Sequence, residues 1–347
     1  MKHFALPSVT IDSYTLGERS GNEITYQCQD NKKLLDELKN QISTVKRHQW
    51  TRAVKFTNPY ESVVRNATPK ISRAYYKIIE IVKDFELEFP GVDNLRTLHL
   101  CEGPGGFIEA IIDLRQNKKL DWTGITLKNT NNDPNLPDFV GKIDMTNVTY
   151  GEDGTGDLTN IDNINFLGKM FEQRGMAHLI TADGGFDVSN DHCSQEDQSY
   201  QLMLSQVISA LECQRLGGAF IMKVFDCYSN KMTDLLYLLS IHYQQVYVTK
   251  PYSSRPCNSE KYVVCTGFKG ITNKERVHIK EVFKKYNDIK FSDIDSLFID
   301  KTYEMNCGFT QHQMSALTAT LAYATKTQWV EKPKDMSHWY IHKYDIK

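Results

Sequence analysis

The chain has 347 residues, of which 40% are apolar and 24% are charged, and its formal net charge is −2. This length suits one large α/β domain with additions, or two modest domains. With this net charge the whole molecule is not a polycation. Any binding of nucleic acid therefore requires positive charge that is concentrated locally.

The first part of the chain precedes the regular pattern of strands. Residues 1–30 are polar and without periodicity, and we expect irregular structure there. Apolar residues at helical spacing predict amphipathic helices over residues 31–47 and roughly 70–84.

Strands and helices alternate from residue 96 to residue 268. The predicted strands are 96–100, 122–127, a weaker one near 141–144, 177–182, 218–225, 245–249 and 261–268. The predicted helices between them are 107–115, 160–174, 198–214 and 231–242. Such alternation favours a parallel sheet with helices on both faces. The connection between the last two strands is too short for a helix, so these strands are expected to pair antiparallel.

The expected fold class is therefore α/β, with an open, mostly parallel sheet of seven strands, an antiparallel last strand, and N- and C-terminal additions. We divide the chain into an N-terminal extension (1–50), the sheet domain (51–269) and a C-terminal accessory region (270–347). The accessory region contains a predicted helix over residues 273–286, an aromatic-bearing stretch and a basic, aromatic tail.

A glycine turn joins the first strand to the helix that follows it. Residues 98–107 read LHLCEGPGGF, and glycine permits close backbone approach and positive φ values. Ligands of open α/β sheets bind at the carboxyl ends of the strands, where the strand order reverses. The turn therefore predicts a nucleotide-type pocket, and the alternative is a tight turn that needs glycine for packing.

Other nucleotide-binding patterns are missing from this turn. Neither G-x-G-x-x-G nor a Walker motif is present, and the end of the second strand, residues 126–128, reads TLK without an acid. Asp157, at the end of a loop rich in Gly and Asp, is a candidate contact for an adenosine group. The alternative for Asp157 is a solvated turn acid.

Four charged residues occupy positions that suit a site at this edge of the sheet. Lys223 lies inside the apolar strand AFIMKVF, where an ammonium group is costly to bury without a partner. Asp183 follows the strand 177–182, and Glu260 precedes the last strand. Lys77 falls about 60° outside the apolar stripe of its helix. Each also has an ordinary interpretation, as a snorkelling lysine, a turn aspartate or a surface charge.

At these residues the sequence resembles the FtsJ-like 2′-O-methyltransferases, which carry a Lys-Asp-Lys-Glu tetrad on a Rossmann-like sheet. The segment SRAYYKIIEI (72–81) is similar to the family's first-lysine helix, and the other three charges match in order and setting. Within the family, the cap-specific mRNA enzymes are the most similar. The similarity to these enzymes lies in the segments CEGPGGF (101–107), GITLK (124–128), ADGGF (182–186), SRPCNSEKYVVC (254–265), GDLT (156–159) and NPYE (58–61). The resemblance covers about residues 50–268.

The resemblance implies a class I methyltransferase that transfers a methyl group from S-adenosylmethionine to the ribose 2′-OH of the first transcribed nucleotide of capped mRNA. The catalytic residues that it implies are Lys77, Asp183, Lys223 and Glu260. The cofactor-binding residues that it implies are Ser72, Cys101, Glu102, Gly103, Pro104, Gly105, Gly106, Phe107, Asp157, Leu158 and Asp183. It also implies RNA contact by Asn258.

Two further basic residues, Arg52 and Lys55, lie near the predicted cleft and are candidate substrate contacts, with solvated surface charge as the alternative. Two lysines and two acids form a nearly neutral cluster, which is easier to desolvate than one charge. A lysine that acts as a base needs a pKa below its ordinary value.

The remaining expectations concern compartment and partners. Eight cysteines without a C-x-x-C pair argue against zinc, so no metal is expected, and free buried thiols fit a reducing compartment. Without a signal-peptide pattern or a membrane-length apolar run, we expect an intracellular protein of the nucleus or cytoplasm, and a viral origin is compatible with this. The expected partners are capped mRNA 5′ ends and other capping or transcription machinery, without a membrane.

Three alternatives stay open at this point. One is an FtsJ-like enzyme acting on ribosomal or transfer RNA. The second is a non-catalytic RNA-binding or capping scaffold, and the third is a dinucleotide-dependent oxidoreductase.

Overall fold

The computed structural model describes residues 2–19, 25–116, 118–131, 133, 136–140, 143–185 and 193–346. Its main sheet contains β1 (His3–Leu6), β3 (Asn94–Leu100), β4 (Lys119–Ile125), β5 (Val148–Thr149), β6 (Ala177–Ala182), β7 (Gln214–Val224), β8 (Tyr243–Thr249) and β9 (Lys261–Phe268). A separate two-stranded sheet pairs β2 (Leu16–Gly17) with β10 (Lys290–Phe291).

The helices lie between and beyond these strands. They are α1 (Gln29–Ile42), α2 (Arg47–Thr57), α3 (Val63–Asn66), α4 (Ala74–Asp84), α5 (Gly106–Leu114), α6 (Ile161–Arg174), α7 (Gln195–Cys213), α8 (Asn230–His242), α9 (Asn273–Tyr286), α10 (Ser296–Thr325) and α11 (Ser337–Tyr344).

The strand order in the main sheet is β1-β8-β9-β7-β6-β3-β4-β5. The pairs from β7 to β5 are parallel, and β9 lies antiparallel between β7 and β8. The predicted α/β class and the antiparallel last strand are therefore confirmed. The chain order reverses at β3, which has β4 on one side and β6 on the other, and this is where ligands bind in open α/β sheets.

Two parts of the sheet differ from the prediction. The expectation of irregular structure over residues 1–30 is wrong for β1, which pairs antiparallel with β8 as an eighth strand. Four residues are too few to show a periodic pattern. The strand expected near 141–144 falls partly outside the described residues, and Ile143 and Asp144 lie in no strand. The described edge strand is β5, which pairs with the end of β4.

The core forms layers on the two faces of the sheet. Helices α6, α7 and α8 bury apolar residues on one face, and α4 and α5 on the other. This arrangement follows from parallel strands, whose crossover helices cover both faces. A third cluster joins α1, α2 and α10 around Leu35, Val54 and Leu317. The N-terminal extension thus packs on the C-terminal region.

Candidate active site

Two ion pairs lie at the carboxyl edge of the sheet. Lys77 Nζ, on α4, lies 2.8 Å from a Glu260 carboxylate oxygen. Lys223 Nζ, near the end of β7, lies 3.2 Å from Asp183 Oδ1 and donates a hydrogen bond to the Asp183 carbonyl oxygen. The four side chains are between 13% and 18% exposed, so they are largely buried yet reachable from outside.

Strand pairing brings the two ion pairs together. Tyr262 lies opposite Lys223 in the antiparallel pair of β7 and β9, and its hydroxyl donates to Asp183 Oδ1 over 3.3 Å. Glu260 directly precedes β9. The structure therefore gathers all four predicted charges, from one helix and three strand ends, into one cluster.

The charges of this cluster stabilise one another. Burial alone would raise the pKa of Glu260, but Lys77 and Lys223 outweigh it and lower this pKa to about 2. Burial alone would lower the pKa of Lys223, but Asp183 and Glu260 raise it above its ordinary value. The carboxylate and the ammonium are thus both charged at neutral pH.

The glycine turn begins directly after β3. A Cβ at Gly103 would lie 2.1 Å from the Pro137 carbonyl oxygen, and one at Gly106 would lie 2.2 Å from Ser72 Oγ. Gly105 has a φ of 109° and precedes the first residue of α5. At Gly103 and Gly106 the turn therefore needs glycine for close packing. The same packing brings Ser72 against the start of α5.

Cys101 lies where the turn meets the charged cluster. Burial, together with the nearby carboxylates of Glu102, Asp157 and Asp183, raises the pKa of the Cys101 thiol to about 12. A Cβ at Gly184 would lie 3.0 Å from Cys101 Cβ. The turn, Asp157 and the end of β6 therefore lie close together at the carboxyl edge of the sheet, where the cleft is expected.

Asp157 belongs to the loop between β5 and α6, but this loop lies beside the end of β4. This loop folds against the end of β4, since a Cβ at Gly156 would lie 1.8 Å from the Thr126 carbonyl oxygen. Asp157 Oδ1 accepts hydrogen bonds from the backbone N–H and the hydroxyl of Thr159, at 2.9 and 2.7 Å. No described residue donates to Oδ2. This oxygen is available to a ligand hydroxyl in the place where the second-strand acid is missing.

Some of the predicted cofactor contacts are accessible to an adenosine-bearing group, and others are buried. A partly exposed turn at the switch point and an open carboxylate oxygen beside β4 suit such a group. The side chains of Phe107 and Leu158, however, are 0% and 1% exposed and belong to the core. The structure therefore does not expose these two predicted contacts to a ligand.

Glu102 is buried behind the cleft. It is 2% exposed and accepts a hydrogen bond of 2.8 Å from the Thr181 hydroxyl. Burial, and then the charge of Asp183, raises the pKa of Glu102 well above its ordinary value. Glu102 therefore supports the strand ends from beneath and does not face the opening.

Lys250, which sequence reasoning missed, holds the loop before β9. Its Nζ donates to the carbonyl oxygens of Asn258 and Glu260 and to Asn258 Oδ1, each at 2.8 Å. Ser254 Oγ donates to Glu260 Oε1 over 2.9 Å. The available signal was the position of Lys250, which follows the end of β8 just as Asp183 follows the end of β6.

The predicted substrate contacts fall in two places. Asn258 lies in the loop that carries Glu260, and its Nδ2 donates to no described residue. Arg52 and Lys55 are exposed on α2 and line a groove beside the C-terminal segment 326–335. The lining of this groove includes none of the four charges of the cluster.

Metal-binding clusters and membrane-spanning helices are both missing from the described part of the chain. Within the ranges that the structure describes, no group of three or more His, Cys, Asp or Glu residues is arranged to hold a metal ion. No helix among the same residues is both long and apolar enough to cross a membrane.

The sequence profile of the FtsJ-like methyltransferases matches residues 71–268. Three similar proteins share the name cap-specific mRNA (nucleoside-2′-O-)-methyltransferase 1. The Danio rerio protein is 34% identical over 82% of this chain and 37% of its own length. The Homo sapiens protein is 38% identical over 62% of this chain and 26% of its own length. The Trypanosoma cruzi protein is 35% identical over 64% of each. The chain thus spans about a third of the length of the vertebrate relatives that it matches.

Proposed function

Since the chain belongs to the FtsJ-like methyltransferase family, we propose that it methylates the ribose 2′-OH of the first transcribed nucleotide of capped mRNA, with S-adenosylmethionine as methyl donor. The observation that carries the proposal is the pairing of Lys77 with Glu260 and of Lys223 with Asp183 at the carboxyl edge of the sheet. The names of the relatives support the capped substrate.

The proposed cofactor contacts are the turn after β3, with Ser72 against it, and the open oxygen of Asp157. S-adenosylmethionine supplies an electrophilic methyl group on its sulfonium centre. The chain's part is to place the hydroxyl in line with that group and to exclude water.

The proposed roles of the four charges follow from their pairing. Asp183 and Glu260 raise the pKa of Lys223, so its ammonium is charged at neutral pH and donates a hydrogen bond to the 2′-oxygen. The 2′-oxygen takes the methyl group, and the proton of the hydroxyl is released to solvent. Asp183 fixes the direction of the Lys223 side chain. The pair of Lys77 and Glu260 completes a nearly neutral cluster around the hydroxyl. Asn258 is proposed to contact the RNA from the same loop.

The experiment offers matched capped and uncapped transcripts to the purified protein with methyl-labelled cofactor. We expect label in the capped RNA, and in the 2′-O-methylated first nucleotide after digestion. Equal labelling of both RNAs would favour a ribosomal- or transfer-RNA type of substrate. No labelling of either, with RNA binding retained, would favour the scaffold alternative. The cellular compartment and the protein partners stay predictions.

A further inference from the structure

A second surface with the chemistry of a nucleic-acid site lies away from the charged cluster. Two cavities of about 800 and 330 Å³ adjoin between α2 and residues 326–335, and they share Arg52, Phe56 and Tyr323. We call this surface the tail groove. The segment that follows α10 borders the groove along its length and passes the start of α3.

Three aromatic rings line the larger cavity of the tail groove. Phe56 and Tyr323 are stacked, with ring centroids 3.9 Å apart and planes at 13°. Trp329 lines the larger cavity and is 85% exposed. A bare indole next to a stacked pair offers flat faces to a nucleobase, because every base has a π-face that stacks irrespective of its sequence.

Positive charge follows the same surface. The exposed cations that line it are Arg52, Lys55, Arg65, Lys326 and Lys332. Among the described residues none of the five is in an ion pair. Only two carboxylates, Glu61 and Asp335, line the same surface among the described residues, and Glu61 lies 3.3 Å from Arg73. In a chain with a net charge of −2, this local excess suits a polyanion.

The tail groove is connected to the charged cluster by a short chain of contacts. Glu61 borders the smaller cavity and pairs with Arg73. Arg73 donates to the Ser253 carbonyl oxygen, and the neighbouring Ser254 donates to Glu260. These contacts link the border of the tail groove to the loop that carries Asn258 and Glu260.

We propose that the tail groove binds the single-stranded RNA that flanks the methylated nucleotide, with bases stacked on Trp329 and on the Phe56–Tyr323 pair and phosphates held by the five cations. The proposal rests on the function proposed above and adds the path of the RNA. An acidic peptide would match the cations, but it has no use for the flat aromatic faces.

The test measures binding by fluorescence anisotropy without turnover, using a capped trinucleotide and a capped, unstructured RNA of about 20 nucleotides. The quantity compared is the ratio of the two affinities. Trp329→Ala is expected to lower the affinity for the longer RNA about 5- to 100-fold, as loss of a base–aromatic stack does. Arg52→Gln and Lys326→Gln are each expected to reduce the slope of log affinity against log salt by about 0.7.

Matched controls lie outside the tail groove. Leu297→Ala removes a side chain that is 56% exposed at the other end of α10, and Lys274→Gln removes an exposed cation of α9. Both are expected to keep the wild-type ratio and salt slope. These controls separate loss of a binding surface from a general change in charge or stability.

Three results would overturn the proposal. One is an unchanged affinity ratio in Trp329→Ala. A second is an equal loss of affinity for the trinucleotide, which would assign the tail groove to the cap itself. A third is displacement of the longer RNA by an acidic peptide at a lower concentration than by unlabelled RNA. If the ratio falls but no RNA is methylated, the groove assignment stands and the proposed reaction fails.

Discussion

The Lys223 ammonium group carries the charge that the proposed reaction needs at the 2′-oxygen. We expect Lys223→Ala to abolish methyl transfer, because the 2′-oxygen loses its charged donor, while cofactor affinity stays within about tenfold. Transfer is measured with capped RNA, and cofactor binding by calorimetry. Lys274→Ala, at an exposed position of α9, is the control. Undiminished turnover in Lys223→Ala would refute the role.

The Glu260 carboxylate predicts an acid-dependent loss of stability. Its pKa is lowered from 4.5 to about 2, so the unfolded chain takes up the proton first as the pH falls. The stabilisation is complete above pH 4.5 and is lost on acidification toward about pH 2. We expect the free energy of unfolding to fall more steeply over this range in the wild type than in Glu260→Gln. Urea unfolding at a series of pH values measures this, and parallel curves would contradict it.

The residues of the cluster differ in how far the sequence alone indicates them. An ammonium group within an apolar strand needs a partner, and Asp183 lies 3.2 Å from Lys223 at the end of the neighbouring strand. Lys77 and Glu260 are indicated only by family resemblance, because a helix edge and a strand start impose no such constraint. For Lys250 the only sequence signal is its position after β8, because two of its acceptors are backbone oxygens that no sequence pattern reveals.

Helix α10 shows why some elements were not predicted. It runs from Ser296 to Thr325, and its buried face mixes apolar residues with polar ones. Asn306 donates to the Cys227 carbonyl oxygen over 2.6 Å, and Thr310 shares a hydrogen bond with the Tyr228 hydroxyl. These polar residues interrupt the apolar periodicity on which helix prediction depends. Helices α4, α5 and α6 have a cleaner apolar stripe, and the sequence predicts them close to their observed bounds.

A single leucine tests the contact between α10 and the N-terminal helices. Leu317 is 0% exposed and belongs to the cluster that joins α1, α2 and α10. We expect Leu317→Ala to cost about 2–5 kcal/mol in the free energy of unfolding, because it leaves a cavity. Leu297→Ala, at a position 56% exposed on the same helix, is expected to cost less than about 0.5 kcal/mol. Urea unfolding compares them, and similar costs would show that the cluster is not tightly packed.

At the scale of the whole molecule, the N-terminal strand and the last helix both meet α4, the helix that carries Lys77. Lys2 Nζ lies 2.7 Å from a Glu80 carboxylate oxygen. From the other side, the Tyr340 hydroxyl of α11 donates to the Tyr76 carbonyl oxygen over 2.8 Å. The division at residues 50 and 269 stays a prediction. These contacts link both outer regions to the helix at the candidate site.

Tyr340 allows this coupling to be measured. The side chain is 0% exposed, and we expect Tyr340→Ala to destabilise the protein by about 3–5 kcal/mol and to lower the rate of methyl transfer. Tyr340→Phe removes only the hydroxyl and is expected to cost about 1 kcal/mol. Thermal unfolding and single-turnover transfer on capped RNA are measured at a temperature where both variants are folded. A destabilised Tyr340→Ala with full transfer rate would show that α11 does not position Lys77.

The strand β1 has a consequence for the behaviour of the protein in solution. It covers the outer side of β8, whose seven residues include the buried Val246 and Val248. Without this cover, residues 246–249 of β8 would present unpaired amide and carbonyl groups, which are a template for strand addition by another molecule. With it, the edge beside these residues is the four-residue β1, and short edge strands offer few backbone groups to a second chain. We therefore expect this strand to limit strand addition by another molecule.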